Sequence, residues 1–195
     1  MHSRFSPDSS TTLRELVARC RELGLDRIAL TDHHTAEGAL ELRRREPELT
    51  IVGEEVATRE GDVIGLFITR SLPSGGTPEE VCDAIRAAGG LTYACHPFDR
   101  RRGNFTPERL VELAPRFDII ETYNAWADPS ANRAAADICR ELGKVGASGS
   151  DSHAARDLGS SWMEMEPYDG PADFLRKLAG ARHVITERSG RGRRA

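Results

Sequence analysis

At 195 residues, with 38% hydrophobic and 30% charged residues, the chain suits one globular domain with a real core. A net charge of −4 and a pI near 5.9 argue against general coating of nucleic acid, while a local field still permits a small phosphorylated ligand. There is no apolar run of membrane-span length and no signal-peptide core. Cys20, Cys82, Cys95 and Cys139 stand far apart without a Cys-x-x-Cys pair, so the expectation is a cytoplasmic protein with reduced thiols in its core.

Thr12-Leu13-Arg14-Glu15 is a capping box opening a helix, whose apolar positions Leu13, Leu16, Val17, Cys20 and Leu23 keep helical spacing up to Gly24. Ile28 to Thr31 reads as a short buried strand. Thr50 to Val52 and Val63 to Ile68 bracket a turn at Glu60-Gly61-Asp62 and read as paired strands. Thr77-Pro78-Glu79-Glu80 starts a second helix, Leu91 to Cys95 forms a strand, Thr106-Pro107-Glu108 opens a third helix, and Asp118 to Glu121 is the strand after it. A helix over 129–142, a strand around Val145, a strand at Trp162 to Met165, a helix near 172–179 and a strand at His183 to Ile185 complete one domain over 1–188. Residues 189–195 read as a disordered basic tail. The alternation predicts an α/β fold with mainly parallel strands. A barrel and a doubly wound sheet both fit, and either places its active site at the carboxyl ends of the strands.

Those ends carry the chemistry. Leu30-Thr31 runs into Asp32-His33-His34, Val52 into Gly53-Glu54-Glu55, Cys95 into His96-Pro97, Ile120 into Glu121-Thr122-Tyr123-Asn124, and Ser148 into Gly149-Ser150-Asp151-Ser152-His153; His2 stands six residues before Asp8. Five of the six histidines fall in these segments, a pattern that scatter does not produce. Imidazoles and carboxylates without thiolate suit Zn, Mn or Fe, and a bridging Glu55 or Asp151 would hold two ions about 3.5–4 Å apart. Singly, each feature has a plainer reading: His34 and His183 as surface or hydrogen-bonded residues, Asp32 as an orienting group, Gly149 to Ser152 as a turn, and Tyr123 and Trp126 as packing.

These segments resemble the PHP (polymerase and histidinol phosphatase) family over nearly the whole chain. His2-Ser3 with Asp8 is similar to the second half of its His-x-His-Ser opening, Thr31-Asp32-His33 to its Thr-Asp-His, Gly53-Glu54-Glu55 to its Gly-x-Glu, His96-Pro97 to its His-Pro, and Gly149 to His153 to its Gly-Ser-Asp-x-His. The resemblance implies a distorted (β/α)7 barrel, two or three divalent ions (Mn, Zn or Fe) and hydrolysis of phosphate esters. Carried over, it makes His2, Asp8, His33, Glu55, His96, Asp151 and His153 the metal ligands. Asp8 stands where other members have His, and a carboxylate coordinates as well; Asn124 stands where some have a His ligand, and an amide is the poorer donor. The family's opening motif has another His two residues before His2, on a first strand that is largely missing here, which favours a truncated or misassigned start.

The expected function is metal-assisted hydrolysis of a small phosphorylated substrate, nucleotides included, with no membrane and no long nucleic acid as partner. Asp151 and His153 are the catalytic candidates for steering the proton of the attacking water. Arg100 and Arg102, with Arg101, follow His96-Pro97-Phe98-Asp99 and are candidates for binding the phosphate, a solvated basic loop being the plain alternative. The competing readings are a non-catalytic metal-binding module and an amidohydrolase-type deaminase or amidase.

Overall fold

The computed structural model describes residues 1–186, so the tail expected at 189–195 and the last residues of the expected domain lie outside the described residues. Helix α1 (Leu13–Leu23) begins at the capping box: Thr12 Oγ1 accepts the Glu15 amide while the Glu15 carboxylate accepts the Thr12 amide. Gly24, at φ +66, ends it in the left-handed conformation that favours glycine. Strand β1 (Ile28–Leu30) follows, then α2 (Glu37–Arg45), which the sequence reading did not anticipate. Two glutamates and a run of three arginines mask α2: it buries only Gly38, Ala39 and Leu42 and has no side-chain cap, so neither a wide apolar stripe nor a start signal marks it.

Strands β2 (Thr50–Ala57) and β3 (Asp62–Leu66) form the expected hairpin. Then come α3 (Pro78–Ala87), β4 (Leu91–Ala94), α4 (Pro107–Leu113) with a single 3-10 turn behind it, β5 (Ile119–Asn124), α5 (Pro129–Glu141) and β6 (Val145–Gly149). Strand β7 (Ser161–Glu164), α6 (Gly170–Leu178) and β8 (Arg182–Ile185) end the described chain, with His183 exposed on β8. Thr77 and Thr106 cap α3 and α4, with Pro at the first helical position of each, as their sequences require.

Strands β1 to β6 lie in chain order in one curled, half-barrel sheet of an α/β fold. The β1–β2, β4–β5 and β5–β6 pairs are parallel. The β2–β3 and β3–β4 pairs are antiparallel, so the sheet is less parallel than expected. The β2–β3 link explains one of them: Thr58 Oγ1 accepts the Glu60 and Gly61 amides in a turn too short for the crossover a parallel pair needs. Strands β7 and β8 form a separate antiparallel pair.

Two apolar clusters fill the two faces of the sheet. Leu16, Leu30, Leu42, Ile85, Leu110 and Phe117 pack the helices against the convex face. Ile51, Ile64, Leu66, Tyr93, Ile119 and Phe174 line the concave face. Strands β1 and β6 are the sheet's edges, and a cavity of about 880 Å³ lies against both, lined by Ile28, Ala29, Ala147 and Ser148 with the concave-face side chains. Residues 1 and 2 close one end of the gap: the Met1 carbonyl accepts the Thr31 amide at 2.9 Å and the His2 amide donates to the Ser152 carbonyl at 2.8 Å. This crossing ties the two edges together and delivers His2 to the mouth.

Strand alternation sends Glu55 to the concave face and Glu54 to the opposite one. Glu54 is fully buried; its Oε2 accepts the Leu72 amide at 2.9 Å, while Oε1 has no partner. Burial raises its pKa to about 7 against an ordinary 4.5. A carboxyl raised in the folded state stabilises it fully below the unfolded pKa, and that contribution is lost as pH rises through the folded pKa. Glu54→Gln, which keeps the Leu72 bond, is therefore expected to gain up to about 3 kcal/mol at pH 8.5 and nothing at pH 4.5, read from urea unfolding at both pH values. An equal gain at both would remove the titration argument.

Candidate metal centre

The strand ends meet at the mouth of the half-barrel, with the N-terminal residues laid across it. Asp32, fully buried, does not hold a histidine ring; it accepts the Ser3 amide at 2.5 Å and the Ser3 hydroxyl at 2.7 Å, and so fixes the residue next to His2. Gly38 makes room for this grip, because a Cβ there would lie 2.5 Å from Asp32 Oδ2. His33 follows β1 and forms an isolated parallel bridge with Glu55 of β2.

Three groups of donors lie close enough to share ions, each with its donor atoms within 4.8 Å of one another: His2, Asp8, His33 and His153; Glu55, Cys95 and His96; and His2, Glu55 and Asp151. His2 and Glu55 each belong to two of them. His2 Nε2 is 3.4 Å from Glu55 Oε2 and 3.2 Å from Asp151 Oδ1, and His96 Nε2 is 3.0 Å from Glu55 Oε1. The His2 ring stacks between those of His33 and His153, with centroids at 4.6 and 4.3 Å. The structure thus brings together all seven residues expected as ligands.

Whether these donors suit a cation can be judged at His153. Its Nδ1 lies 2.9 Å from the Asp151 carbonyl oxygen, which fixes the hydrogen on Nδ1 and leaves Nε2 a bare lone pair. That lone pair faces Asp8 Oδ2 at 3.0 Å, and His33 Nε2 faces the same oxygen at 3.2 Å. Two acceptors as close as His153 Nε2 and Asp8 Oδ2 need a positive charge between them. Burial lowers the pKa of both His33 and His153, so neither ring readily supplies that charge by protonation. Burial pushes Asp8 and Glu55 up, but the Ser6 hydroxyl with the histidines for Asp8, and His2 with His96 for Glu55, outweigh it and hold both carboxyls below their ordinary range. Neutral His33 and His153 with ionised Asp8 and Glu55 are in the protonation states that divalent ions bind. Burial pushes His96 down, but the Glu55 carboxylate outweighs it and holds the His96 pKa above its ordinary value until an ion displaces that proton.

Several supporting residues carried no role in the sequence reading. Glu121, buried within β5, accepts the His96 amide at 2.7 Å, the Tyr93 hydroxyl at 3.0 Å and the Asn124 side-chain amide at 3.0 Å, and so aligns three residues. Its position where the expected strand ends was the available signal. Asp62 opens β3 on the same inward face as Ile64, paired with Ala57 across the hairpin, and its carboxylate is packed against Gly103. Burial and then the charge of Glu55 push it up to about 6. Nothing in its sequence context marks it, because it stands in a turn.

Asn124, left open as a ligand by the sequence, is a hydrogen-bond donor in the structure. Its oxygen accepts the Trp126 amide at 2.9 Å, which turns its nitrogen toward Glu121 and toward Asp151 Oδ2 at 3.2 Å. Asp151 takes a positive φ of +46 and is also met on Oδ2 by Arg102 Nη1. Arg101 instead binds Asp99 and the Trp126 carbonyl, and Arg100 is exposed without an ion pair among the described residues. Trp126 packs edge-on against the His153 ring at 6.3 Å, and His34 is exposed beside His33. All four cysteines are core residues as expected, Cys20, Cys82 and Cys139 in the cluster on the convex face and Cys95 in the concave-face cluster, where it also borders the donor groups.

The grip of Asp32 on Ser3 predicts an effect at a distance. Asp32→Asn is expected to weaken metal binding about tenfold, the lower end for groups that orient ligands, with little change in fold. Unchanged affinity by calorimetry, with the variant folded, would show that His2 needs no such support.

The sequence pattern of the PHP domain matches residues 1–63, and that of a PHP-associated segment matches residues 129–182. An uncharacterized protein of Methanocaldococcus jannaschii, MJ1587, is 37% identical over 126 residues, covering 62% of this chain and 70% of that protein. A structure from Bifidobacterium adolescentis, described provisionally as a metal-dependent phosphoesterase, superposes with a TM-score of 0.61 at 20% identity over 78% of this chain and 85% of that one. An amidohydrolase from Chromobacterium violaceum, carrying sulfate and no metal, gives a TM-score of 0.65 at 18% identity over 94% of this chain and 95% of its own.

Proposed function

Because the chain belongs to the PHP family, we propose that it is a metal-dependent phosphoesterase acting on a small phosphate ester, with nucleotides among the candidates. The observation that carries this is the fusion of three donor groups through His2 and Glu55 at the mouth of the half-barrel. Two or three divalent ions, drawn from Mn, Zn and Fe, would be held by His2, Asp8, His33, Glu55, His96, Asp151 and His153. Bound there, they supply Lewis-acid polarisation of the phosphate and a water of lowered pKa.

The chain's own groups do the rest. Glu121 holds the backbone of His96, and Asp32 holds Ser3. Asp151 would take the proton of the attacking water on its carboxylate, while His153, whose Nδ1 is tied to the Asp151 carbonyl and whose Nε2 would face the ion, would steer that water by orientation and not as the base. Arg102 lies beside Asp151 at the rim and meets the phosphate, with Arg100 on the exposed side of the same loop. A barrel of seven β/α units belongs to the same proposal, supported by the chain-order sheet β1 to β6 and by the cavity that lies against both of its edges. No described helix is long and apolar enough to cross a membrane; the single domain over 1–188 and a cytoplasmic address belong to the same proposal.

Purified protein loaded with Mn, Zn or Fe(II) is expected to release phosphate from a panel of small phosphate esters and to stop on chelation. Release with none of the metals would leave a non-catalytic metal-binding module. The amidohydrolase among the similar structures is a reason to run amide and nucleobase substrates beside the esters, and turnover of those alone would replace the proposal.

A further inference from the structure

We propose that Cys95 is a metal ligand whose thiolate joins Glu55 and His96 and biases that position toward zinc, iron(II) or cobalt(II) over manganese. The inference rests on the metal-binding part of the function proposed above and not on which ester is cleaved. On a regular strand Tyr93 and Cys95 face inward and residue 96 faces away. His96 breaks the alternation with φ +30, a conformation that residues with a Cβ rarely take. The bond from its amide to Glu121 Oε2, at 2.7 Å, holds it there. As a result two successive side chains aim at one atom: Cys95 Sγ lies 3.8 Å and His96 Nε2 3.0 Å from Glu55 Oε1.

The surroundings agree with a ligand more than with a filler. Cys95 is 1% exposed at the margin of the concave-face apolar cluster, yet its sulfur meets a carboxylate, while the other three cysteines pack in the apolar cluster behind the sheet. The neighbouring His96 Nδ1 is buried and has no hydrogen-bond partner. Sulfur beside imidazole and carboxylate is a borderline-soft donor set, which zinc, iron(II) and cobalt(II) accept and manganese disfavours. On binding, the Sγ–H bond breaks, the sulfur–metal bond forms and the proton leaves to solvent, so each ion bound at this position releases one proton from Cys95.

The test is spectroscopic and uses the full chain. Cobalt-loaded protein is expected to show sulfur-to-cobalt charge-transfer absorption in the near ultraviolet, lost in Cys95→Ser and kept in Cys82→Ala. Zinc-loaded wild type is expected to show an X-ray absorption shell at about 2.3 Å for sulfur beside nitrogen and oxygen at about 2.0–2.1 Å. Only nitrogen and oxygen around zinc, or a cobalt band that survives in Cys95→Ser, would overturn the assignment. The zinc measurement needs no variant, so a Cys95→Ser chain that fails to fold leaves the question decidable. Phosphate release is followed in parallel: a sulfur shell with no turnover supports Cys95 as a ligand and counts only against the phosphoesterase.

Discussion

Glu55→Gln is expected to lower phosphate-ester turnover by roughly a thousandfold or more, the upper end of what removal of one electrostatic stabiliser costs. The reason lies in the sharing of this one carboxylate. Oε1 meets His96 and Cys95, and Oε2 meets His2, so the side chain belongs to two of the three donor groups at once. Glutamine keeps the shape but offers one neutral oxygen, which neither bridges two cations nor compensates their charge. Metal content by elemental analysis should fall with turnover, and the melting temperature without added metal should fall as well at neutral pH, since the folded state favours the ionised carboxylate that His2 and His96 hold and the variant leaves both rings without it. Full metal content with lost turnover would move Glu55 from ligand to catalytic group. Unchanged turnover would remove it from the centre.

How far the sequence alone reached is clearest at single residues. His33, His96 and His153 were legible because each follows a short apolar strand, and the carboxyl ends of neighbouring strands must open on the same side. His2 and Asp8 were legible through resemblance alone, since no strand within the described residues precedes them. The capping boxes at Thr12 and Thr77 gave helix starts to the residue, because two reciprocal hydrogen bonds require those side chains at that spacing. Helix α2 was not legible, being charged on most faces and uncapped. Cys95 is a buried core residue as read, and what the sequence did not show is its contact with Glu55: only the positive φ at His96 reveals that the chain turns two successive side chains to one point. Asn124 could not be decided either, because the direction of its amide depends on the Trp126 backbone, two residues on in sequence but fixed by the tertiary fold.

Arg102→Ala should move two measurements in opposite directions. Arg102 spans two carboxylates: Nη1 is on Asp151 Oδ2, and Nε is 3.7 Å from Asp99 Oδ2, an oxygen otherwise without a hydrogen-bond partner. A divalent ion and this guanidinium draw on the same Asp151 carboxylate, Oδ1 facing His2 in the donor group and Oδ2 facing Arg102, so the arginine competes for its charge with a metal at that position. Removing it should tighten metal binding severalfold, since a like charge is taken from beside the ion. The same change deletes a charge-assisted contact to phosphate worth about 1.5–3 kcal/mol, or roughly 10- to 100-fold in kcat/KM. Arg102→Lys should recover the metal competition but only part of the phosphate affinity, because a point charge lacks the planar fork. Calorimetric titration of metal, followed by inorganic phosphate on the loaded protein, reads both effects apart from turnover. If metal and phosphate affinities both fall, Arg102 acts by bracing the loop from His96 to Gly103. If neither moves, it is a solvated rim charge, and the phosphate must be met by some other group at the mouth.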